Sequence, residues 1–402
     1  MRMYYSTPDT YPPFRVDVAE LFGHCLPGMG LEVEWYMARN KPGVFGSEMY
    51  ANQKVFVPWR VEGRTLPGKV ASKFAYWICD IAVLLGLLFE RSHKLIQVRD
   101  KYISALVGLL VAKVKGIKFT YWCSYPFPEH DLELAKHKSG LAKAYYRLRG
   151  RTGQWLLYRF VMRHCDHIFV QSEEMKRELV NFGVAPQRMT PVPMGVPTRL
   201  VEWSRGRRTE VVPNRIVYLG TMSSVRQLHV LLDAFAKVHQ ACPQARLLMV
   251  GDGDYPSERA GLEAHAQQLG LAEAITFTGF VPIETAWNYA ATAAVCVSPI
   301  CPGKLLDVGS PTKLIEYMAL GRPVVCNSHP EQSAIIAECP AGLCVEWSAS
   351  AFAEALLWML RHPQEAETMG AKGPAWVASN RTYPILASQV WQRYQSILGG
   401  SI

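Results

Sequence analysis

Short apolar runs alternate along this chain with longer segments in which apolar residues recur at helical spacing. In the first half, the runs that predict β-strands are residues 3–5, 31–37, 95–98, 118–123 and 167–170. Helices are predicted over residues 16–25 and 103–115, and after Ser172, whose side chain is suited to cap the next helix. A loop is predicted over residues 8–15. Strands that alternate with helices indicate a parallel sheet covered by helices.

The second half restarts the same alternation. Strands are predicted over residues 215–219, 245–250, 274–277, 293–298 and 323–326, and helices over 228–242, 257–269 and 311–320. Between the halves, a polar, basic stretch bounded by prolines predicts a linker at residues 198–213. We therefore expect an α/β protein with two Rossmann-like domains, residues 1–197 and 214–375, that bind ligands at the carboxyl ends of their strands.

Length and composition agree with two folded domains. The chain has 402 residues, of which 49% are hydrophobic and 19% charged. None of the ten cysteines forms a pair with the two-residue gap of a zinc knuckle or redox motif, so we expect reduced thiols in a cytoplasmic protein. Residues 1–6 show no apolar core of a signal peptide. The longest apolar run, residues 74–89, is shorter than the roughly 20 residues that span a bilayer and contains Asp80, so a buried helix is expected there.

The basic residues are unevenly distributed. The formal net charge is +9, and residues 136–163 contain no acidic residue. Basic and aromatic residues are interleaved there, and those expected to face a membrane are Lys143, Arg147, Arg149, Arg151, Trp155 and Arg159. This pattern is typical of a helix on an anionic membrane surface, although a solvated helix over an ordinary core is the alternative. Nucleic acid is not favoured, because the sequence contains no recognised nucleic-acid-binding motif.

The most specific motif is SPTKLIEYMALGRPVV, which occupies residues 310–325. It predicts a loop, a helix opened by Pro311, a glycine stop and a new strand. The start of a helix offers free N–H groups and a positive dipole end, which suit a diphosphate, and Lys313 adds a full charge there. Glu316 lies one turn further, where its carboxylate is suited to accept hydrogen bonds from the two hydroxyls of a ribose.

This motif resembles the large family of retaining GT-B glycosyltransferases called glycosyl transferases group 1. The resemblance covers residues 215 to about 336. It implies the GT-B fold, two Rossmann-like domains facing across a cleft, with a final helical segment, residues 376–402, that crosses back to the first domain. It also implies that Glu316 binds the ribose. The residues whose loop amides would hold the β-phosphate and the donor sugar are Ser310, Pro311, Thr312 and Lys313.

Further donor-site residues follow from the same resemblance. Gly220 ends a strand where the backbone must approach the ligand. The family usually has an arginine directly after this glycine and a lysine about six positions after it, and this chain has Thr221 and Arg226 there. Arg226 is expected to neutralise the leaving diphosphate. The glutamate that usually contacts the donor sugar is replaced by Val308, and the adjacent Asp307 is the candidate substitute.

The base and acceptor sides carry weaker signals. The backbone at Val281 is expected to pair with the nucleotide base, and uracil is favoured by its frequency in the family. After the fourth strand, residues 122–131 predict a shaped loop in which His130 or Glu129 is the candidate acceptor-side base. The other acceptor-side candidates are Phe14, Arg15 and Tyr125.

No cofactor or metal is expected. The run Asp252-Gly253-Asp254 spells the D-x-D that binds a metal in another glycosyltransferase fold, but here it follows a strand where the resembling family has a glycine turn. Family members generally stabilise the leaving group with cationic side chains and helix ends instead.

The expected function is a retaining glycosyltransferase that moves a sugar from a nucleotide-sugar, with a UDP-sugar favoured, to a lipid-linked acceptor. The basic aromatic segment places it on the inner face of the cell membrane, in surface polysaccharide or glycolipid assembly. Two alternatives remain open: a nucleotide-sugar epimerase of the same fold, and a non-catalytic nucleotide-sugar-binding protein, which the valine at position 308 suggests. The sequence does not indicate an oligomeric state.

Overall fold

The computed structural model describes residues 1–61, 66–207 and 209–399. The chain forms two compact units, the first made of Met1–Pro193 with Tyr383–Ile402 and the second of Met194–Thr382. The predicted linker, residues 198–213, contains a helix of the second unit, Thr198–Arg205, and its residue 208 lies outside the described residues. The final helix, Tyr383–Ile397, is part of the first unit.

The first unit is built on an eight-stranded sheet with the order β3-β4-β2-β1-β5-β6-β7-β8. Every neighbouring pair is parallel except β3 and β4. The central strands are buried on both faces, which explains why they appear in the sequence as continuous apolar runs. The strands are β1 Arg2–Tyr11, β2 Glu32–Arg39, β3 Gly46–Tyr50, β4 Gln53–Val57, β5 Leu95–Arg99, β6 Lys118–Cys123, β7 His167–Val170 and β8 Met189–Pro191.

Helices cover this sheet. The α-helices of the first unit are α1 Leu26–Gly28, α2 Leu66–Gly86, α3 Tyr102–Lys115, α4 Phe127–Lys136, α5 Gly140–Gln154, α6 Met162–His164, α7 Glu173–Asn181 and α18 Tyr383–Ile397. Two π-helical segments, Val18–Cys25 and Trp155–Val161, join them. Ser172 caps α7 by accepting a hydrogen bond from the N–H of Met175, as its sequence predicted. The Tyr394 hydroxyl of α18 donates to Gln97 of β5 over 2.6 Å, which fixes this helix on the sheet.

The second unit has a six-stranded, all-parallel sheet with the order β11-β10-β9-β12-β13-β14. This is the doubly wound order, in which the strand sequence reverses direction between β9 and β12. The strands are β9 Arg215–Leu219, β10 Arg246–Val250, β11 Ile275–Phe277, β12 Val295–Ser298, β13 Val324–Asn327 and β14 Gly342–Val345. The helices are α8 Thr198–Arg205, α9 His229–Ala241, α10 Pro256–Gln268, α11 Ile283–Ala291, α12 Lys304–Asp307, α13 Thr312–Ala319, α14 Pro330–Glu338, α15 Ala349–Arg361, α16 Pro363–Gly370 and α17 Gly373–Asn380.

Two buried clusters of apolar side chains hold the second unit together. One contains Val217 and Cys296 of the sheet and the apolar face of α13. The other contains Ile216 and Val295 with the apolar faces of α9 and α15. Because neighbouring residues of a strand point to opposite faces, the two clusters cover the two sides of one sheet.

Three sequence-based predictions about local structure were wrong. Residues 8–11 continue β1 instead of forming a loop, and Pro8 is tolerated because the pairing with β2 shifts register between Ser6 and Thr10. The predicted loop at 122–131 becomes helical from Phe127, since prolines are well suited to the start of a helix. Strands β3, β4, β8 and β14 were not predicted, because they are short and their apolar signal is weak.

The apolar run at residues 74–89 was also interpreted wrongly. It belongs to a helical stretch, Val70–Phe89, that is long and apolar enough to cross a membrane by length and composition alone. Only 22% of its most apolar window is buried, so it is not the buried helix that the sequence suggested. Core helices of soluble proteins pass the same test of length and composition, but they are mostly buried.

Candidate functional site

The candidate site lies in the second unit, at the carboxyl end of β9, beside the point where the strand order reverses. Gly220 follows β9 with φ +142°, and Gly251 follows β10 with φ +126°. A Cβ atom on Gly251 would collide with the carbonyl group of Gly220, so the two loops approach each other more closely than side chains allow. This leaves exposed backbone at the edge where doubly wound sheets bind ligands.

Lys313 extends from the first turn of α13 across this edge. Its Nζ atom lies 3.0 Å from the position that a Cβ on Gly220 would occupy, and 5.4 Å from the centre of the Tyr218 ring. Burial and the nearby positive charge of Arg226 hold the pKa of the Lys313 amine well below its usual value. A bound anion would reverse this effect, because it would stabilise the protonated amine.

Arg226 brings the second cation to the same place. It ends a short 3₁₀ turn, Ser224–Arg226, and its Nε donates to the hydroxyl of Thr221 over 2.8 Å. The carbonyl of Thr221 in turn accepts from the Tyr218 hydroxyl over 2.7 Å. Thr221 therefore orients the guanidinium group, whose remaining N–H groups can bind an oxyanion. Its own contact with the donor stays a prediction.

Glu316 completes the cluster from the second turn of α13. Burial raises the pKa of its carboxyl group from 4.5 to about 7, although the positive charge of Lys313 acts in the opposite direction. Hydrogen bonds donated by the hydroxyls of a ligand would stabilise the charged form of such a partly desolvated carboxylate. Arg226, Lys313 and Glu316 are thus brought together by one loop and one helix, and their contacts with a diphosphate and a ribose stay predictions.

Sequence reasoning missed the residues that hold the start of α13 in place. The hydroxyl of Ser310 accepts from the N–H of Met194 over 2.9 Å and donates to Glu331 over 2.8 Å. Arg381 pairs with the same Glu331 oxygen over 2.8 Å. Ser310 therefore anchors the loop before Pro311, which is the N-cap of α13, and Thr312, which is its first residue. No pattern in the sequence linked these positions, because their partners lie in distant segments of the chain.

A second missed residue is Tyr317. Its hydroxyl accepts from the N–H of Leu219 over 2.7 Å, in the interior of the second unit. This bond ties the last residue of β9 directly to α13. Gly220 directly follows Leu219, and Lys313 lies one helical turn before Tyr317. This hydrogen bond therefore keeps Gly220 and Lys313 close together.

The turn that contains Asp307 and Val308 is closed by a hydrogen bond between two of its own residues. One carboxylate oxygen of Asp307 accepts from the N–H of Gly303 over 3.1 Å, which caps the short helix α12. The side chain of Val308 is buried. The Asp307 carboxylate is only half-buried, so its other oxygen stays available in this arrangement. Its contact with a donor sugar stays a prediction.

The segment predicted to read the base lies beside a cavity. Gly279 adopts φ +68° after β11, and it is followed by the exposed Phe280 and the half-buried Val281. A cavity of about 290 Å³ is lined by Asp252, Gly253, Pro256, Arg259, Ala260, Glu263 and Phe280. Asp252 pairs with Arg259 at 3.6 Å and also accepts from the N–H of Gly253. The first carboxylate of the D-x-D run, that of Asp252, is therefore paired with the guanidinium group of Arg259.

The acceptor-side candidates all lie in the first unit. The Tyr125 hydroxyl and the His130 Nδ1 atom are 3.1 Å apart, so these two side chains form a pair. Glu129 accepts from Gln154 over 3.0 Å and from the Tyr158 hydroxyl over 2.6 Å, which engages both of its oxygens. These bonds anchor α4 to the end of α5 and to the π-helical segment that follows α5.

The loop after β1 places the remaining two candidates differently. Phe14 is 89% exposed, so its ring has no packing role within this loop. Arg15 lies 3.4 Å from Asp17 and 3.9 Å from Asp9, and Asp17 is also paired with the buried Arg99 over 2.6 Å. Arg99, which anchors this acidic group at the carboxyl end of β5, was not identified from the sequence.

The basic segment forms α5 and the π-helical turn after it. Lys143, Arg147, Arg151 and Arg159 are exposed, and so is the ring of Trp155. Arg149 departs from the prediction because its Nε lies 3.1 Å from the buried Asp131. Its charge is therefore neutralised within the protein, and the exposed basic stripe consists of the other four residues.

Comparisons with known proteins agree with this architecture. Residues 18–200 match the family model described as Glycosyltransferase Family 4, and residues 213–362 match the one described as Glycosyl transferases group 1. The protein is similar to a D-rhamnosyltransferase of Pseudomonas aeruginosa, with 28% identity over 44% of this chain and 43% of that protein. It is also similar to a GDP-mannose-dependent alpha-(1-6)-phosphatidylinositol monomannoside mannosyltransferase of Mycolicibacterium smegmatis, with 27% identity over 49% of this chain and 50% of that protein. The chain thus spans about half the length of the curated relatives it matches.

A solved structure extends the likeness to the whole fold. Sucrose-phosphate synthase from Thermosynechococcus elongatus superposes with a TM-score of 0.75, 19% sequence identity and full coverage of both chains. At this identity the match concerns the fold alone, and it confirms the expected two-domain α/β class. The two family models together cover most of the sequence, so this chain belongs to the GT-B glycosyltransferases of the group 1 type.

Proposed function

We propose that this protein is a retaining glycosyltransferase that moves a sugar from a nucleotide-sugar to a lipid-linked acceptor in glycolipid or surface polysaccharide assembly. The observation that carries the proposal is the convergence of Arg226, Lys313 and Glu316 at the glycine-lined end of β9. Family membership supports the same activity, as do the names of the two curated relatives, which are both sugar transferases.

The chemistry of the cluster suits departure of a nucleoside diphosphate. When the bond between the sugar and the diphosphate breaks, negative charge grows on the diphosphate and positive charge on the sugar ring. Arg226 and Lys313 stabilise the departing diphosphate, because fixed cations in a desolvated site need no reorganisation during the reaction. Glu316 accepts hydrogen bonds from the ribose and so positions the donor.

The acceptor hydroxyl attacks from the face that the diphosphate leaves, which retains the configuration at the anomeric carbon. Its proton passes to the departing phosphate, so a protein base is optional. The Tyr125–His130 pair is the candidate to orient acceptor or donor hydroxyls, and Glu129 is less suited because both of its oxygens are engaged. No metal enters this scheme, and we expect activity to persist in the presence of a chelator.

Uracil and guanine are both candidates for the nucleotide base of the donor. A UDP-sugar is favoured by its frequency in the resembling family, whereas the mannosyltransferase relative is named as GDP-mannose-dependent. Val281 and its neighbours would read either base through backbone groups. A panel that contains both series of donors distinguishes them.

The acceptor is proposed to be lipid-linked because of α5. Its exposed basic side chains, together with the exposed ring of Trp155, suit the anionic inner face of a cell membrane. An enzyme held there meets polyprenyl-linked or glycerolipid acceptors without extracting them from the bilayer. We place the protein in the cytoplasm as a peripheral membrane enzyme.

The experiment that tests this function measures the release of nucleoside diphosphate from a panel of UDP- and GDP-sugars, with and without a membrane lipid extract. We expect release from one donor, stimulated by lipid and lost in Glu316→Ala. Binding of a donor without turnover in any extract would favour the non-catalytic alternative. Isomerisation of a nucleotide-sugar without any acceptor would favour the epimerase.

A further inference from the structure

The helix α2 leaves a continuous apolar stripe uncovered on the surface of the first unit. At 100° per residue, Phe74, Ile78, Leu85 and Phe89 fall on one side of this helical stretch. Phe74 is 65% exposed, Ile78 62% and Phe89 90%. The opposite side, which includes Leu84 and Leu87, is buried. An exposed face of this size is unusual in a protein that has only water around it.

The neighbouring helix α3 repeats the arrangement. It packs against α2, and Ala105, Leu109 and Ala112 on its inner side are buried. Its outer side carries Ile103, Leu110 and Val114, all of which are exposed. Two adjacent helices therefore each present an apolar stripe. We call the exposed side chains Phe74, Ile78, Leu85, Phe89, Ile103, Leu110 and Val114 the α2–α3 patch.

Helix α5 packs beside the start of α3. Gly153 of α5 lies against Tyr102 at the start of α3, since a Cβ on this glycine would meet the tyrosine ring at 2.8 Å. The outer side of α5 carries Leu141 and Leu148, and the π-helical segment that follows it begins with Trp155; all three side chains are more than 60% exposed. The exposed basic stripe of α5 lies beside these apolar side chains along the same helix.

Among the described residues, the exposed charges of α2, α3 and α5 are basic, whereas Glu90, which directly follows Phe89, is acidic and lies 3.4 Å from His93. The helices α3 and α5 contain no acidic residue, and the one acidic residue of α2, Asp80, is buried. Lys73 of α2, Arg91 after it and Lys113 of α3 are exposed. An apolar surface on helices whose exposed charges are basic is complementary to a bilayer with anionic headgroups, which takes the apolar side chains among its acyl chains and the cations at its headgroups.

A buried network shows why α2 cannot be a membrane span in this fold. Asp80 accepts hydrogen bonds from the hydroxyl of Ser6 over 2.8 Å and from the ammonium of Lys101 over 3.0 Å, and it also bonds to Ser104. These bonds attach the middle of α2 to the middle of β1 and to the start of α3. Pulling the helix across a bilayer would leave this carboxylate and this ammonium unpaired in a low-dielectric interior.

We infer that the α2–α3 patch is a second membrane-binding surface, which inserts into the interfacial region of an anionic bilayer while the basic stripe of α5 contacts the headgroups. The helix α2 then lies in the plane of the membrane with its outer stripe among the acyl chains. The role of this surface would be to bring the enzyme to a lipid-linked acceptor, and this role rests on the proposed function. Vesicle binding itself needs neither donor nor turnover, so the two proposals fail separately.

The test is flotation of the whole chain with phosphatidylcholine vesicles that contain or lack phosphatidylglycerol. The variant Ile78→Ser/Phe89→Ser removes two exposed side chains from the patch, and Val44→Ser, at a 75% exposed position outside the patch, is the matched control. We expect the double variant to bind anionic vesicles at least about tenfold more weakly, because apolar area is no longer buried. The control should bind like wild type. Equal binding by the double variant would overturn the inference.

Two further measurements guard against misfolding and self-association. Thermal unfolding of the double variant should match wild type, because both positions face solvent. In the unmodified chain, acyl-brominated lipids should quench tryptophan fluorescence, and part of the quenching should disappear in Trp155→Phe. Absence of quenching would contradict insertion. A wild-type dimer in analytical ultracentrifugation that Ile78→Ser/Phe89→Ser dissociates would identify the patch as a contact between copies and would also overturn the inference.

Discussion

The side chain of Lys313 occupies the space that a Cβ atom at residue 220 would need. Its Nζ lies 3.0 Å from that position, and Gly220 adopts a positive φ that L side chains rarely take. The glycine and the lysine are far apart in the sequence, but the Tyr317–Leu219 hydrogen bond holds their elements together. The absence of a side chain at one position thus makes room for a cation supplied by another.

This relationship predicts the effect of Gly220→Ala. The new methyl group should displace the Lys313 side chain and strain the loop, so we expect nucleoside diphosphate binding to weaken about tenfold or more. Calorimetric titration with UDP and GDP measures it. Gly261→Ala is the control, because residue 261 lies in helix α10 and has no atom within 4 Å of its added Cβ. Unchanged affinity in Gly220→Ala would contradict the placement of Lys313.

Arg226→Ala should lower the rate of sugar transfer by a factor of about 100. Removal of one pre-oriented donor to a developing oxyanion typically has an effect of this size. Arg226→Lys should recover only part of the rate, because lysine lacks the guanidinium N–H that bonds to Thr221. Single-turnover kinetics are the appropriate measurement. Arg361→Ala, on the exposed end of α15, serves as a control and should leave the rate unchanged.

Glu316 makes the ligand-free protein less stable at high pH. Its pKa is raised from 4.5 to about 7, so protonation is favoured in the folded state. This contribution to stability is fully present below pH 4.5 and is lost as the pH rises through about 7, by up to about 3 kcal/mol. Urea unfolding of wild type and Glu316→Gln between pH 5 and 8 measures it, with the exposed Glu354→Gln as control. The stability of Glu316→Gln relative to wild type should rise over this range, and a constant difference would show that the carboxyl is not perturbed.

Ser310→Ala should destabilise the second unit by about 1–2 kcal/mol. The substitution removes a hydrogen bond from the mostly buried Glu331 and leaves the N–H of Met194 without its acceptor. Ser350→Ala, which breaks an exposed hydrogen bond to Lys237, should have a smaller effect. Urea denaturation compares the two. Equal free energies of unfolding would mean that the Ser310 bridge does not stabilise the start of α13.

The second unit and its cluster of charges were largely predictable from the sequence. Its central strands β12 and β13 are buried on both faces and appear as continuous apolar runs. Lys313 and Glu316 lie one helical turn apart, so local periodicity places them together. Arg226 also follows its strand at short range. What escaped prediction depends on long-range packing: the Ser310–Glu331–Arg381 bridge, the Tyr317 hydroxyl and the short strands β3, β4, β8 and β14.

In the first unit, the sequence patterns identified the apolar and basic helices but not which of their side chains are exposed. Hydrophobicity correctly marked α2 as apolar, but it did not show which side packs against the protein, because both sides are apolar. Likewise, charge composition marked α5 as basic without showing that Arg149 is paired with Asp131. Exposure, and therefore the choice between a core and an interaction surface, became visible only in three dimensions.

The most direct test of the account follows a labelled sugar. Wild-type protein, Glu316→Ala, Arg226→Ala and the control Glu354→Gln are incubated with radiolabelled nucleotide-sugars and a membrane lipid extract, and the label that enters the organic phase is counted. We predict transfer from one donor by wild type and Glu354→Gln, with a loss of about 100-fold or more in Arg226→Ala and a strong loss in Glu316→Ala. Label that enters the lipid at equal rates with all four proteins, or a donor that binds to wild type without any transfer, would contradict the claim that the Arg226–Lys313–Glu316 cluster is the transfer site.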